Sequence, residues 1–449
     1  MALFIVVSLI IGILFSIAFG SLGVLSTTFL GVPMLIFFYK LLPKDKVNPN
    51  LLLHITIAQF VGFAFVSILY FEYLRMYGVP FMSGGTDDYR FELARKLLVD
   101  EEISSNLQLI GTYLEYANNS KGYIVFLVWV TRFAELFGSY DTVIPRMLNI
   151  YFLNSVALIS LGMFYRNFDC KKNFSLFIFY SIAIFPNALF ISAHVFRDVY
   201  VLFLLVVMIN IWDLGITRNR ITFFHVILTA YIAYLLYFAR FEMIFISLSS
   251  VMILMLFKTR KVPFNRLKRN LITLAVSLIA IYVVFSLDLV DIIISRFSSY
   301  TDYRLNRSDG LSNFVFGSDL FPFGFILRYG YALISPFPSY VIGIFSLRLS
   351  AMNLINIIVS IGTIYQIYLL PFLFKNIKKV NYFLILFLLL LSIIAFTTFT
   401  FRHFVLLYPF MIILSAIGLA SSSQKAIINN LVVVTIIGML GAVIYVILI

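Results

Sequence analysis

The charged residues of this chain lie mostly between apolar stretches that are each about as long as a lipid bilayer is thick. Of its 449 residues, 62% are hydrophobic and 12% are charged, whereas soluble proteins carry about 25% charged residues. A helix needs about 20 apolar residues to cross the hydrocarbon core of a bilayer. Because a water-soluble fold cannot bury this much apolar surface, the sequence predicts an all-α polytopic membrane protein.

We predict about 13 transmembrane helices in a single integral-membrane domain that covers residues 1–449. The first is interpreted as an uncleaved span, because no positively charged segment precedes it. The candidate spans are 3–19, 23–39, 51–73, 143–165, 174–193, 199–215, 222–238, 243–257, 271–287, 351–374, 382–399, 404–422 and 427–448.

Lysines and arginines are distributed differently between the two sides that this topology defines. With the N-terminus in the cytoplasm, 12 of the 14 lysines fall in short cytoplasmic connections, as the positive-inside rule expects. In contrast, 12 of the 19 arginines fall in segments placed outside, where topology does not require them. Arginine binds carboxylates and phosphates with a planar, two-pronged fork. The external arginines therefore predict a charged, phosphate-bearing ligand on the outer face. The net charge of +13 follows membrane topology and does not indicate nucleic-acid binding.

Two of the predicted external segments are long. The first covers residues 74–141 and contains an amphipathic pattern in which apolar residues recur at helical spacing among charged ones, which predicts a helix in the interface plane. Residues 122–137 are apolar but include two charges, and we interpret them as a dipping or re-entrant helix. The second external segment covers residues 288–350.

Asp87 and Asp88 are the candidate catalytic residues. They follow the end of an external span, where a carboxylate can act as a general base for an acceptor hydroxyl or hold a divalent cation such as Mg²⁺ or Mn²⁺. The alternative is helix capping, since aspartate at this position stabilises a helix by roughly 1 kcal/mol. The single cysteine, Cys170, rules out an intrachain disulfide or a cysteine-cluster metal site.

Other charged residues at predicted outer span ends are candidates for binding the substrate and its phosphate. Each has a simpler alternative, namely pairing with a neighbour or a lipid headgroup, or keeping a turn hydrated. These candidates are Arg197, Asp198, Arg240, Glu242, Arg304, Arg328, Arg402 and His403.

The stretch from Gly84 to Lys96 resembles the first external loop of the GT-C superfamily of membrane glycosyltransferases, which carries an acidic motif after an N-terminal span. The stretch from Arg132 to Asn149 is similar to the helix that leads back into the membrane, and Asp198 stands at an outer span end as in that family. Arg402-His403 with Pro409 is similar to a late arginine-containing turn. Bacterial surface-polysaccharide polymerases, such as O-antigen polymerases, share the same general architecture.

The resemblance implies glycosyl transfer from an undecaprenyl-phosphate or -diphosphate donor to a glycan or lipid-linked glycan, at the outer face of the bacterial cytoplasmic membrane. Asp87 or Asp88 would be the base or the metal-linked acid, and Arg240, Arg328 and Arg402 would bind the carrier phosphate. Within this class we favour a repeat-unit polymerase over a single-sugar transferase. An oligosaccharide flippase or other transporter, and a non-catalytic membrane scaffold, are the alternatives from other classes.

Overall fold

The computed structural model describes residues 1–84, 87–99, 120–258, 315, 323–334, 351–375, 381–397 and 401–448. Within these ranges the regular structure is helical throughout. The α-helices are α1 (Ala2–Ala18), α2 (Leu25–Lys40), α3 (Leu51–Tyr77), α4 (Asp87–Leu98), α5 (Lys121–Glu135), α6 (Val143–Asn167), α7 (Phe174–Ala183), α8 (Pro186–Ser192), α9 (Asp198–Thr217), α10 (Phe223–Ala239), α11 (Met243–Lys258), α12 (Phe323–Leu333), α13 (Ala351–Phe374), α14 (Tyr382–Thr397), α15 (Tyr408–Ala420) and α16 (Gln424–Leu448). Short 3-10 helices occupy Leu22–Val24, Met82–Gly84 and Phe401–Leu406.

Helices coincide with twelve of the predicted spans, and the thirteenth, 271–287, lies outside the described residues. The predicted span 174–193 is divided into α7 and α8, which meet at an angle of 41°. Pro186 at the start of α8 lacks an N–H group and cannot continue the hydrogen bonding of α7. Among the described helices, five are long and apolar enough to cross a membrane, or six if the bent pair forms one span. The chain is thus a helical membrane protein, while the count of thirteen spans stays a prediction.

Helix α6 is the central helix of the bundle. The apolar stretch that qualifies it as a span is completely buried, and it packs against α2, α3, α7 and α9. Helix α9 is the next most buried of the long helices. Peripheral helices instead expose large apolar side chains, as lipid-facing surfaces do: Leu3 and Ile17 on α1, Phe223 on α10, and Ile437 and Met439 on α16. The residues described below lie at the two ends of the buried helices.

The predicted amphipathic helix is α4, and it packs against α5. Of the four apolar residues in the predicted pattern, Phe91, Ala94 and Leu98 are buried and Leu97 is exposed. Arg95, which lies between them in the sequence, is also buried. Arg95 takes the inward position because its guanidinium pairs with Glu92 at 2.5 Å and lies over the ring of Tyr140, so the buried charge is compensated.

Candidate functional site

Asp198 is the centre of an ionic cluster that we call the Asp198 network. Its carboxylate lies 3.2 Å from Nη1 of Arg240, 3.7 Å from Nε of Arg402 and 3.5 Å from Nε2 of His403. Arg402 Nη1 also lies 2.6 Å from Oδ2 of Asp87. Four predicted site residues thus converge on Asp198, directly or through Arg402, from three separate segments of the chain.

Glu242 is the sixth member of the network. Its carboxylate lies 3.8 Å from Nε of Arg240, in the turn between α10 and α11. Arg240 ends α10 in an extended conformation, with φ −164° and ψ 106°. The guanidinium is therefore held between the two carboxylates of Asp198 and Glu242.

Helix ends explain why these charges are placed where they are. Asp87 and Asp198 are the first residues of α4 and α9, where the partial positive charge of a helix N-terminus stabilises a carboxylate. Arg240 is the C-terminal cap of α10, where a cation is favoured. Arg402 lies in the 3-10 helix Phe401–Leu406, which packs against α9. The network therefore consists of helix termini that meet at one end of the bundle.

The side chains of the network differ in their exposure to solvent. The side chain of Asp198 is 2% exposed, whereas Arg402 is 24% exposed and Asp87 is 40% exposed. Arg402 also lies over the ring of Phe196, with Cζ 5.2 Å from the ring centroid. A ligand that approaches the network would therefore meet the Arg402–Asp87 pair before it meets Asp198.

Asp88 has a different environment from Asp87, although the two are adjacent. It is fully buried, and its carboxylate accepts hydrogen bonds from the backbone N–H groups of Met82 and Tyr89. These bonds hold the first turn of α4 against the preceding loop, as a capping carboxylate does. Of the two candidate acids, Asp87 is the one that a solvent-borne hydroxyl can reach.

Arg197 contacts residues of two other segments, although it is adjacent to Asp198. Its guanidinium donates hydrogen bonds to the hydroxyl of Ser120 and to the carbonyl of Ala239, at the last residue of α10. The described contacts of Arg197 therefore join the start of α5 to the end of α10. This arrangement positions Arg240, which follows Ala239 directly.

The two remaining candidates were predicted in the second external segment. Arg304 lies outside the described residues. Arg328 is buried in α12, a helix that packs against α14. Its role in phosphate binding stays a prediction.

Sequence reasoning missed Arg146, which lies in the first turn of α6 and is fully buried. Its Nη2 donates to the carbonyl of Pro80, while Nε and Nη1 have no hydrogen-bond partner. The rings of Tyr70 and Phe81 lie 5.5 and 5.6 Å from its Cζ. A charge inside a predicted span is itself a signal of function, and Arg146 falls within the predicted span 143–165.

His194 is fully buried near Asp88 and Arg146. Its Nδ1 lies 2.6 Å from the carbonyl oxygen of Phe190, so Nδ1 carries the proton, and Nε2 accepts a hydrogen bond from the hydroxyl of Tyr73 at 3.0 Å. Burial lowers the pKa of His194 to about 4. The imidazole is therefore neutral at pH 7, in the tautomer that these two bonds require.

A second buried ionic cluster, the Asp213 network, lies toward the opposite end of α9. Fifteen residues separate Asp213 from Asp198, or about 22 Å along a helix. The carboxylate of Asp213 lies 2.6 Å from Nε of Arg166 and 2.5 Å from Nζ of Lys258, and it accepts hydrogen bonds from Asn167 and Tyr382. These partners belong to α6, α11 and α14, so the network joins four helices.

Within the described part of the chain, there is no group of three or more histidine, cysteine, aspartate or glutamate side chains that could hold a metal ion. The Asp198 network brings two guanidinium groups and the imidazole of His403 next to three carboxylates.

No protein-family model, curated protein or solved structure matches this chain.

Proposed function

We propose that this protein transfers a sugar or oligosaccharide from a polyprenyl-phosphate or polyprenyl-diphosphate carrier to a glycan or lipid-linked glycan. The reaction would take place at the outer face of the bacterial cytoplasmic membrane, during assembly of a surface polysaccharide. The observation that carries the proposal is the convergence of Asp87, Arg240 and Arg402 around Asp198. These residues combine an accessible carboxylate with two fixed guanidinium groups at one end of a membrane-embedded bundle.

In the proposed mechanism, the carrier phosphate replaces Asp87 as the partner of Arg402. A phosphate can bind the guanidinium with two prongs, whereas the described contact of Asp87 is with Nη1. Release from Arg402 leaves the Asp87 carboxylate beside the bound donor, still 3.6 Å from Nη1 of Arg90 and able to accept a proton. Substrate binding would thus create the general base at the place where it is needed.

The acceptor hydroxyl oxygen then forms a bond to the anomeric carbon of the donor sugar, and its proton passes to Asp87. The bond between the anomeric carbon and the phosphate oxygen breaks, and both electrons leave with the phosphate. Arg402 and Arg240 stabilise the negative charge that develops on this leaving group, and Asp198 holds both guanidinium groups in place beforehand. Because the guanidinium groups are already oriented, little reorganisation is needed during the reaction.

The proposal is tested by incubating the purified protein with a lipid-diphosphate-linked repeat unit and separating the products by size. A ladder of products supports the repeat-unit polymerase, which we favour. A single added sugar identifies a single-sugar transferase. If neither product forms while the repeat unit remains bound, both transferase proposals fail.

An oligosaccharide flippase is the second candidate function, and two observations favour it. Helix α9 carries an ionic network at each end, around Asp198 and around Asp213, and the α7–α8 pair is broken by Pro186. Transporters use discontinuous helices and alternate between states open to either side. Movement of a labelled lipid-linked oligosaccharide across a vesicle bilayer without covalent change would support this function and would exclude transfer chemistry as the main activity.

A further inference from the structure

Arg146 and the loop above it have no part in the mechanism described so far. The loop covers residues 79–84 and lies between α3 and α4. It is bounded by Gly78 and Gly84, whose φ angles of 72° and 76° lie in the left-handed region. Side chains other than glycine rarely adopt this region, so these two positions allow the chain to turn sharply on either side of the loop.

Two hydrogen bonds hold the loop against the bundle, and the ring of Phe81 also packs against Tyr89 of α4. The carbonyl of Pro80 accepts a hydrogen bond from Nη2 of Arg146, and the N–H of Met82 donates to Oδ2 of Asp88 at 3.2 Å. The N–H of Gly84 donates within the loop to the carbonyl of Phe81. Because Phe81 is 5% exposed and faces Arg146, the loop covers the guanidinium.

The guanidinium of Arg146 is incompletely bonded beneath this cover. Arginine presents five N–H donors, and a buried donor without a partner costs about 1–3 kcal/mol. Nε and Nη1 of Arg146 have no partner, although the residue is fully buried. The neighbouring carboxylate of Asp88 compensates the charge electrostatically but does not bond to these two atoms. The site therefore favours a ligand that brings additional acceptor oxygens.

An anion that takes either fork of Arg146 must affect the loop. One fork consists of Nε and Nη2, and the other consists of Nη1 and Nη2. Both forks use Nη2, whose two hydrogens point to different forks, so the bond to Pro80 occupies one fork only. Because Arg146 is fully buried beneath Phe81, an anion that binds in the two-pronged manner of carboxylates and phosphates can reach either fork only if the loop moves away.

We propose that Arg146 is a second phosphoryl-binding site and that residues 79–84 form a lid, which opens when a phosphate or diphosphate group binds the Arg146 guanidinium. The site adjoins the Asp198 network through the first turn of α4, where Asp87 contacts Arg402 and Asp88 contacts the lid. Opening of the lid is therefore transmitted to the position of Asp87. The choice of a phosphoryl group over another anion rests on the proposed function.

Amide hydrogen exchange of the full-length protein in lipid nanodiscs tests this proposal. The N–H groups of Met82 and Gly84 report on the closed lid, because both are hydrogen-bonded in it. We expect inorganic diphosphate or polyprenyl diphosphate to speed their exchange by about tenfold, which corresponds to about 1.4 kcal/mol. Sodium chloride at matched ionic strength should have no effect. A response to the lipid alone identifies a carrier-borne group, and a response to both shows that the phosphoryl group suffices.

The variant Arg146→Lys keeps the buried positive charge, and thus the fold, but has no fork. It should lose the diphosphate response, whereas Arg132→Gln, an exposed arginine on α5, should retain it. Unchanged exchange in the wild-type protein with both ligands overturns the proposal, as does an equal response in Arg146→Lys. The exchange experiment contains no sugar, so it tests the lid separately from glycosyl transfer. Sugar transfer without lid opening would overturn the lid proposal alone. Lid opening without sugar transfer would overturn only the proposed glycosyl-transfer function.

Discussion

Nη1 of Arg402 lies 2.6 Å from Oδ2 of Asp87, although the two residues come from opposite halves of the chain. This pair is the most exposed part of the Asp198 network. In the proposed reaction the pair separates when the donor phosphate binds, so that Asp87 becomes the base. The roles of the two residues can be tested independently.

Asp87→Asn should reduce sugar transfer by about 100-fold or more, because the amide cannot accept the acceptor proton. The free energy of unfolding should change by less than about 1 kcal/mol, since the ion pair is partly exposed. Initial rates of product formation and the thermal unfolding midpoint measure the two effects. Lys96→Gln, on the exposed side of the same helix, is the matched control and should keep the wild-type rate. A wild-type rate in Asp87→Asn would remove this residue from the mechanism.

Asp198→Asn should both destabilise the protein and abolish transfer. The substitution leaves the buried guanidinium of Arg240 with a weaker counter-charge, and loss of one partner from a buried ion pair costs about 3–5 kcal/mol. Glu242→Gln should cost less, because Glu242 lies 3.8 Å from Arg240 and is more exposed. Chemical unfolding in detergent gives the comparison. If the two variants are equally stable, Asp198 is not the centre of the network.

Asp213→Asn should lower the stability of the protein without lowering its rate of sugar transfer. It removes the counter-charge of Lys258 and Arg166 at the other end of α9, so we expect a loss of stability similar to that of Asp198→Asn. The rate of sugar transfer per folded molecule should stay within a factor of about two, since Asp213 is about 22 Å along the helix from Asp198. Radiolabelled product per mole of folded protein measures this rate. A selective loss of lipid translocation in this variant would instead favour the flippase.

Stability should decrease at acidic pH in a way that depends on His194. Its pKa is about 4 in the folded protein against 6.5 in an unfolded chain, so between these values the unfolded state binds the proton more readily. The contribution of His194 to the free energy of unfolding is therefore complete above about pH 6.5. It falls by up to about 1.4 kcal/mol per pH unit as the pH drops toward 4. Thermal midpoints of the wild type and His194→Gln between pH 7.5 and 4.5 test this. The difference between the two proteins should narrow as the pH falls, and a constant difference would contradict the prediction.

Gly31→Ala should destabilise the bundle without altering the ionic networks. Helix α2 crosses α6 at Gly31, where an added Cβ would overlap the ring of Tyr151. Overpacking of this kind costs typically 1–3 kcal/mol. Gly438→Ala on α16, where a Cβ meets nothing within 4 Å, is the matched control. The thermal midpoint should fall for the first variant only.

Hydropathy predicted the helices closely because a membrane span depends mainly on its own residues. The predicted span 351–374 coincides with α13, and 143–165 differs from α6 only at its C-terminal end. Two spans differ more: Pro186 breaks 174–193 into α7 and α8, and 404–422 begins in the 3-10 helix Phe401–Leu406 before α15. The candidate site residues at helix ends were also predicted from the sequence. A carboxylate or arginine between two apolar stretches can be recognised without knowing which residue it pairs with in the fold.

The sequence by itself determined that the chain is a helical membrane protein with charged residues at helix ends. Only the tertiary structure decided that Asp198, Arg240 and Arg402 share one network, and that Asp87 rather than Asp88 faces it. The physical reason is the rotation of about 100° between successive residues of a helix. Adjacent aspartates therefore face different neighbours, and which neighbours those are depends on helix packing between distant parts of the chain.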